Sequence, residues 1–196
     1  MPKVAYLYSE ELARFDYGDD HPFKPIRARN TMELCNRHGL LYAENVIRPT
    51  IVNPDPALLS LFHSKQYLSI LKRANAGVHD FEMFEAGIGT LDCPVLPGIY
   101  DFGLLVVGAT MTGVTMVLSG EVDRAFNPVG GLHHAEVDSA EGFCYINDVG
   151  IAIAYMIEQG KRVAFVDIDA HHCNGVQNKF YDDDRVLVIS LHEFGD

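Results

Sequence analysis

The sequence predicts an α/β fold built on a parallel β-sheet sandwiched between helices, and three observations carry that expectation. Residues 4–8, 163–166 and 186–190 form almost wholly apolar runs, the pattern of strands buried on both faces. Segments of helical period and length separate them. Residues with proton-transfer and metal-ligand chemistry (His133, His134, Asp167, Asp169 and His171) collect just after apolar runs, and α/β sheets place their sites at the carboxyl ends of strands.

Length and composition agree. A chain of 196 residues, 48% hydrophobic and 21% charged, is expected to form one globular domain with a substantial core. The formal net charge of -12 and the absence of any Lys/Arg-rich run disfavour direct nucleic-acid binding or an acidic membrane partner. The balance suits a cationic substrate better. Cys35, Cys93, Cys144 and Cys173 form no Cys-x-x-Cys pair, so they read as reduced thiols of a cytoplasmic protein. The apolar run after Met1-Pro2-Lys3 is too short for a signal peptide.

Taken in order, residues 4–8 predict a buried strand. Residues 10–25, polar, aromatic and broken by Pro22 and Pro25, predict a loop. A helix over 26–38 is stopped by Gly39. Residues 46–48 predict a strand, 57–62 a short helix, and 66–76 a helix capped by Ser64. Residues 79–97, with two glycines and two prolines, predict a long functional or mobile loop. Residues 102–120 are uncharged and long enough to cross a bilayer. Their recurring Gly, Ser and Thr, and the lack of a basic anchor, predict instead a tightly packed buried helix over 100–119. A brief strand at 124–126 leads to a motif loop ending near Asn147. A helix follows, ended by Gly160, then the strand at 163–166, a short helix over 175–180 and the strand at 186–190.

Asp169 and His171 are two apart after a strand, so extended backbone would turn both to one side, where a carboxylate oxygen and an imidazole nitrogen could hold zinc. Asp167 lies on the same side and could orient a histidine. A lone Asp-x-Asp more often caps a loop, but His171 in register and His133-His134 at another strand end favour a site. Two imidazoles beside a metal-bound water suit acid and base work, and Gly130-Gly131 frees the loop to aim both. His172 and His192 read as structural.

At Gly130-Gly131-Leu132-His133-His134-Ala135, Gly142-Phe143-Cys144-Tyr145-Ile146-Asn147-Asp148 and Asp167-Ile168-Asp169-Ala170-His171-His172, the sequence resembles the zinc-dependent deacetylases: histone deacetylases, acetoin-utilization-type proteins and acetylpolyamine amidohydrolases. The stretches 21–27 and 92–94 also resemble family signatures. The resemblance implies an arginase-like fold and hydrolysis of an N-acetyl amide, from acetyl-lysine or an acetylated small amine, to free amine and acetate. It implies Asp169 and His171 as zinc ligands, with iron or another divalent ion as alternatives. His134 would be general base and then acid, His133 its companion paired to Asp167, and Asn174 the partner of His134 where many relatives carry aspartate. Gly142 and Phe143 would bind substrate, Phe143 walling the acyl-lysine tunnel. Asp92 would hold substrate at the rim, and Arg27 would sit in an acetate channel. A structural potassium or sodium ion would lie near Asp167 and Ser190.

The family's third metal-binding aspartate and its oxyanion-stabilising tyrosine belong to later segments that this sequence does not contain. The resemblance therefore implies a single catalytic domain over 1–196 that is incomplete at its C-terminus and inactive alone. Two other readings remain: a non-catalytic binding protein on the same fold, and a two-metal hydrolase of the arginase or agmatinase kind. The latter is disfavoured because Cys173 stands where a second aspartate would.

Overall fold

The structure, a computed structural model, describes residues 1–194. They divide into two compact units, Met1–Asp55 with Asp101–Gly130, and Pro56–Tyr100 with the residues from Gly131 onward.

In the first unit, β1 (Val4–Tyr6) lies between β2 (Val46–Ile47) and β3 (Arg124–Phe126) in a three-stranded parallel sheet. Ala5 stands opposite both Ile47 and Ala125. β1 is shorter than its apolar run, although the Leu7 N–H still donates to the Phe126 carbonyl at 2.9 Å. The expected loop at 10–25 contains α1 (Glu10–Arg14). Its signal is electrostatic: Glu10 and Glu11 in the first turn and Arg14 in the last complement the helix dipole, while Leu12 and Ala13 are buried. α2 (Ile26–Arg37) gives way to Gly39 in left-handed backbone, φ 72°, as the sequence predicts.

A later helix (Ile99–Leu118) has the length and apolarity of a membrane span. Yet Phe102, Val106, Val107, Ala109, Met111 and Met116 are buried within the protein. Its glycines explain the close packing. A Cβ at Gly113 would stand 2.7 Å from Leu7 Cδ1 and 2.8 Å from Ala125 Cβ, so only hydrogen fits between helix and sheet.

The second unit begins with a 3-10 turn, Pro56–Leu61, and α3 (Lys65–Asn75), capped by the Ser64 hydroxyl, which accepts from the Tyr67 N–H at 3.2 Å. The expected long loop at 79–97 is interrupted by α4 (Phe81–Glu85). There the Asp80 carboxylate accepts from the Met83 N–H at 3.0 Å, and that cap outweighs the poor helical period. With Ile99–Leu118 as α5, the unit continues through α6 (Asp148–Glu158), β4 (Val163–Asp167), α7 (Asn174–Phe180) and β5 (Val186–Ser190). β4 and β5 pair in parallel, with Asp167 opposite Ser190, and α6 and α7 pack against them. On the other face Val166, Leu187 and Ile189 remain exposed among the described residues. All five strands in these two sheets pair in parallel.

Candidate active site

One helix start organises the motif loop. Asn147, wholly buried, caps α6: its side-chain oxygen accepts from the Gly150 N–H at 2.8 Å. Its amide donates to the carbonyls of Ala135 at 2.9 Å and His133 at 3.2 Å. Next to it, the Asp148 carboxylate accepts from the N–H groups of Leu132 at 2.8 Å and Gly131 at 3.1 Å. The Asn147 N–H donates in turn to His63 Nε2 at 2.9 Å. From the other side α7 presses in at Gly175, where a Cβ would collide with the Ala135 carbonyl oxygen and reach 2.7 Å from that of His133. Peptide groups on both flanks of the histidine pair are thus tied to the ends of two helices.

His133 is buried, and its Nδ1–H donates to Asp167 Oδ2 at 2.5 Å. The other carboxylate oxygen of Asp167 accepts from the Asp169 N–H at 2.8 Å. His134 makes a parallel bond, with Nδ1 2.6 Å from Asn174 Oδ1. The Asn174 amide nitrogen donates to Glu141 Oε2 at 2.9 Å and Glu136 Oε1 at 3.2 Å. The two imidazoles lie 4.1 Å apart, and His171 stands 5.8 Å from His134. Burial pushes the His134 pKa below the ordinary histidine value, with His133 and His171 adding repulsion; the bond to Asn174 and the Glu141 charge oppose this.

Asp169 and His171 are brought together, but not by extended backbone. β4 ends at Asp167, and residues 169–171 form a bend. Asp169 Oδ1 accepts from the His171 N–H at 2.8 Å and lies 3.1 Å from His171 Nδ1. The turn is closed by its own aspartate, a short-range bond that period-two reasoning overlooks. Burial works against ionisation of Asp169, but the His171 N–H and ring outweigh it, and its pKa falls below the usual carboxylate value.

These two donors fit zinc in type and in spacing. Bonds of about 2.0–2.1 Å at tetrahedral angles set neighbouring donors roughly 3.3 Å apart, close to the 3.1 Å between Asp169 Oδ1 and His171 Nδ1. Both side chains are more than half exposed, open to further ligands. Among the described residues no group of three or more His, Cys, Asp or Glu side chains converges. Asp169 and His171 thus bring together two side chains of ligand type, one carboxylate oxygen and one imidazole nitrogen.

Gly142 and Phe143 form a tight turn closed by reciprocal bonds between Glu141 and Cys144. Both central residues have positive φ, 51° and 71°, as in a type I′ turn. A side chain at Gly142 would strike the His134 ring. Phe143 is the one non-glycine residue with positive φ among those described, a strained conformation that aims its half-buried ring. Asp92 is exposed just before Cys93, and the adjoining Pro94 carbonyl accepts from the Tyr145 hydroxyl at 2.5 Å. Arg27 is exposed on α2, in the first unit. His172 bonds Gln177 and His192 bonds Ser190. Cys173, in the position that a second metal-bridging aspartate would take, is fully buried. Glu136, Glu141 and His63 carry no signal in the sequence, and Asn147 and Asp148 stand there only as motif residues at a helix start. Asn147 and Asp148 had a visible signal in the cap before the apolar helix.

Parallel strands, helices and an imidazole-carboxylate cluster after strand ends define an α/β protein with a candidate site where such folds carry theirs. A family model described as the histone deacetylase domain matches residues 21–196, and the chain belongs to that family. It is 39% identical over 199 residues to histone deacetylase 19 of Arabidopsis thaliana and 35% identical over 197 residues to histone deacetylase 1 of Homo sapiens. Each alignment covers 99% of this chain but only 39% and 40% of those relatives. The crystal structure of an HDAC homolog from Aquifex aeolicus superposes with a TM-score of 0.84 at 33% identity, covering 97% of this chain and 50% of that one. The chain thus spans about two fifths of the length of the curated relatives and half of that solved structure.

Proposed function

We propose that this chain carries the proton-transfer half and part of the metal half of a zinc-dependent deacetylase centre. That centre would hydrolyse an N-acetyl amide, of acetyl-lysine or an acetylated small amine, to amine and acetate. The observation that carries the reading is the pair of adjacent histidines, each with Nδ1 fixed by its own partner, set beside two donors spaced for zinc. Family membership supports the same reading.

In this mechanism zinc, held by Asp169, His171 and a third donor, would polarise the amide carbonyl and make the attacking water more acidic. With Nδ1 turned to the Asn174 side-chain oxygen, His134 would use Nε2 to take a proton from water and return it to the departing amine. His133 remains bonded to Asp167, whose carboxylate fixes the orientation of the ring. The strained turn offers Phe143 as a wall for the acyl chain. Asp92 would bind substrate at the rim, and Arg27 would serve acetate release. The register of Asp167 against Ser190 supports a structural potassium or sodium ion there. The family model runs through both compact units, which supports one catalytic domain. A cytoplasmic location is part of the same proposal.

Incubating the full-length gene product with an acetyl-lysine peptide and with an acetylpolyamine tests the reading. Acetate and free amine are expected from at least one. Stoichiometric zinc with no product from either would favour a binding protein.

A further inference from the structure

The hydrogen bonds around Asn174 contain more than a dyad. A side-chain amide has two unlike ends: its oxygen only accepts and its nitrogen only donates. On one side Asn174 meets Glu136 and Glu141, whose ionised carboxylates can only accept, at 3.2 and 2.9 Å. Its amide nitrogen must face them, which leaves the oxygen facing His134 Nδ1 at 2.6 Å. Glu136 is itself held from a second direction, because Oε1 also accepts from the Asn178 amide at 2.7 Å. Glu141 is held by the backbone bonds that close the turn with Cys144. A flipped amide would set its oxygen against two carboxylates and its N–H against His134. That arrangement loses two charge-assisted bonds.

We propose that Glu136 and Glu141 are positioning residues that lock the Asn174 amide and thereby hold neutral His134 in its Nδ1–H tautomer, leaving Nε2 open as the proton acceptor. An aspartate at 174 would enforce this tautomer unaided, because both its ends accept. The asparagine is ambiguous, and the two glutamates remove the ambiguity. A free imidazole favours the other tautomer, so the lock acts against the ring's own preference. The catalytic consequence rests on the deacetylase reading; the tautomer itself does not.

The test is nitrogen-15 NMR of the histidine rings in the full chain, at a pH where both imidazoles are neutral. The wild type is expected to show His133 and His134 protonated at Nδ1. In Glu136→Ala/Glu141→Ala, the Nε2–H form of His134 is expected to rise at least tenfold while His133 stays unchanged, since Asp167 still holds it. Adding Asn174→Asp to the double variant should return His134 to Nδ1–H. A purely structural role would disturb both rings together or resist that rescue, and either result overturns the proposal. So does a His134 that is Nε2–H in the wild type, or Nδ1–H in the double variant. Absence of deacetylase activity would leave these tautomers as they are and count only against the functional reading.

Discussion

Replacing Asn147 by alanine removes the side chain that joins the α6 start to the histidine loop. Losing the cap on the Gly150 N–H costs about 1 kcal/mol. The His133 and Ala135 carbonyls also lose a donor in a buried place, at about 1–3 kcal/mol for each group left unsatisfied. These losses share one site and do not add fully, so about 3–5 kcal/mol is the expected total. That is a large share of the roughly 5–15 kcal/mol that holds a domain folded. Asn147→Asp separates the parts: it keeps an acceptor for the cap but sets a negative charge against two carbonyl oxygens. It should be at least as damaging as alanine. The assay is equilibrium urea unfolding of the wild type and both variants, followed by circular dichroism. A loss below about 1 kcal/mol for Asn147→Ala, or an aspartate variant near wild-type stability, would refute the role given to this side chain.

Burial holds the His63 pKa at about 4, against 6.5 for the free side chain, with the backbone of Val137 and Glu136 offsetting part of that cost. Unfolding therefore takes up a proton below pH 6.5. The contribution is fully present above that value and is lost as pH falls towards about 4. At about 1.4 kcal/mol per pH unit, the loss comes to about 3 kcal/mol. His63→Gln keeps an acceptor for the Asn147 N–H and should lack this component; identical pH–stability curves would count against it. Zinc binding, measured by competition with a chromophoric chelator, should weaken in His171→Ala by more than the roughly 10–100-fold typical of outer-shell changes. Unchanged affinity would remove His171 from the ligand set. Asn174→Asp should raise the pKa of His134, since a full charge then faces a ring whose pKa is now depressed. An NMR titration that leaves the midpoint unmoved would sink that expectation.

The fold was legible where local chemistry and tertiary packing point the same way. Continuous apolar runs marked β4 and β5, and Ser64 and Gly39 marked helix ends that the structure retains. The short helices α1 and α4 were missed because five residues carry almost no periodic signal. Their charges and the Asp80 cap were the readable clues. At the site, residue types and order pointed to the histidine pair and to Asp169 with His171. The route by which Asp169 meets His171 was not legible, since a two-residue spacing fits an extended strand and a closed turn equally well. Glu136 and Glu141 lie 38 and 33 residues from Asn174, and only folding brings their acceptors to its amide.

The proposed function makes the strand-end cluster a metal-dependent amide-hydrolysing centre. Its most direct test is acetate release from an acetylated amine by the full-length gene product, measured as purified, after chelation and after zinc is restored. Turnover is expected to disappear with the metal, to return with it, and to fall by about 10²–10⁴ in His134→Ala. Turnover that survives chelation, or a His134→Ala enzyme as fast as the wild type, would contradict it.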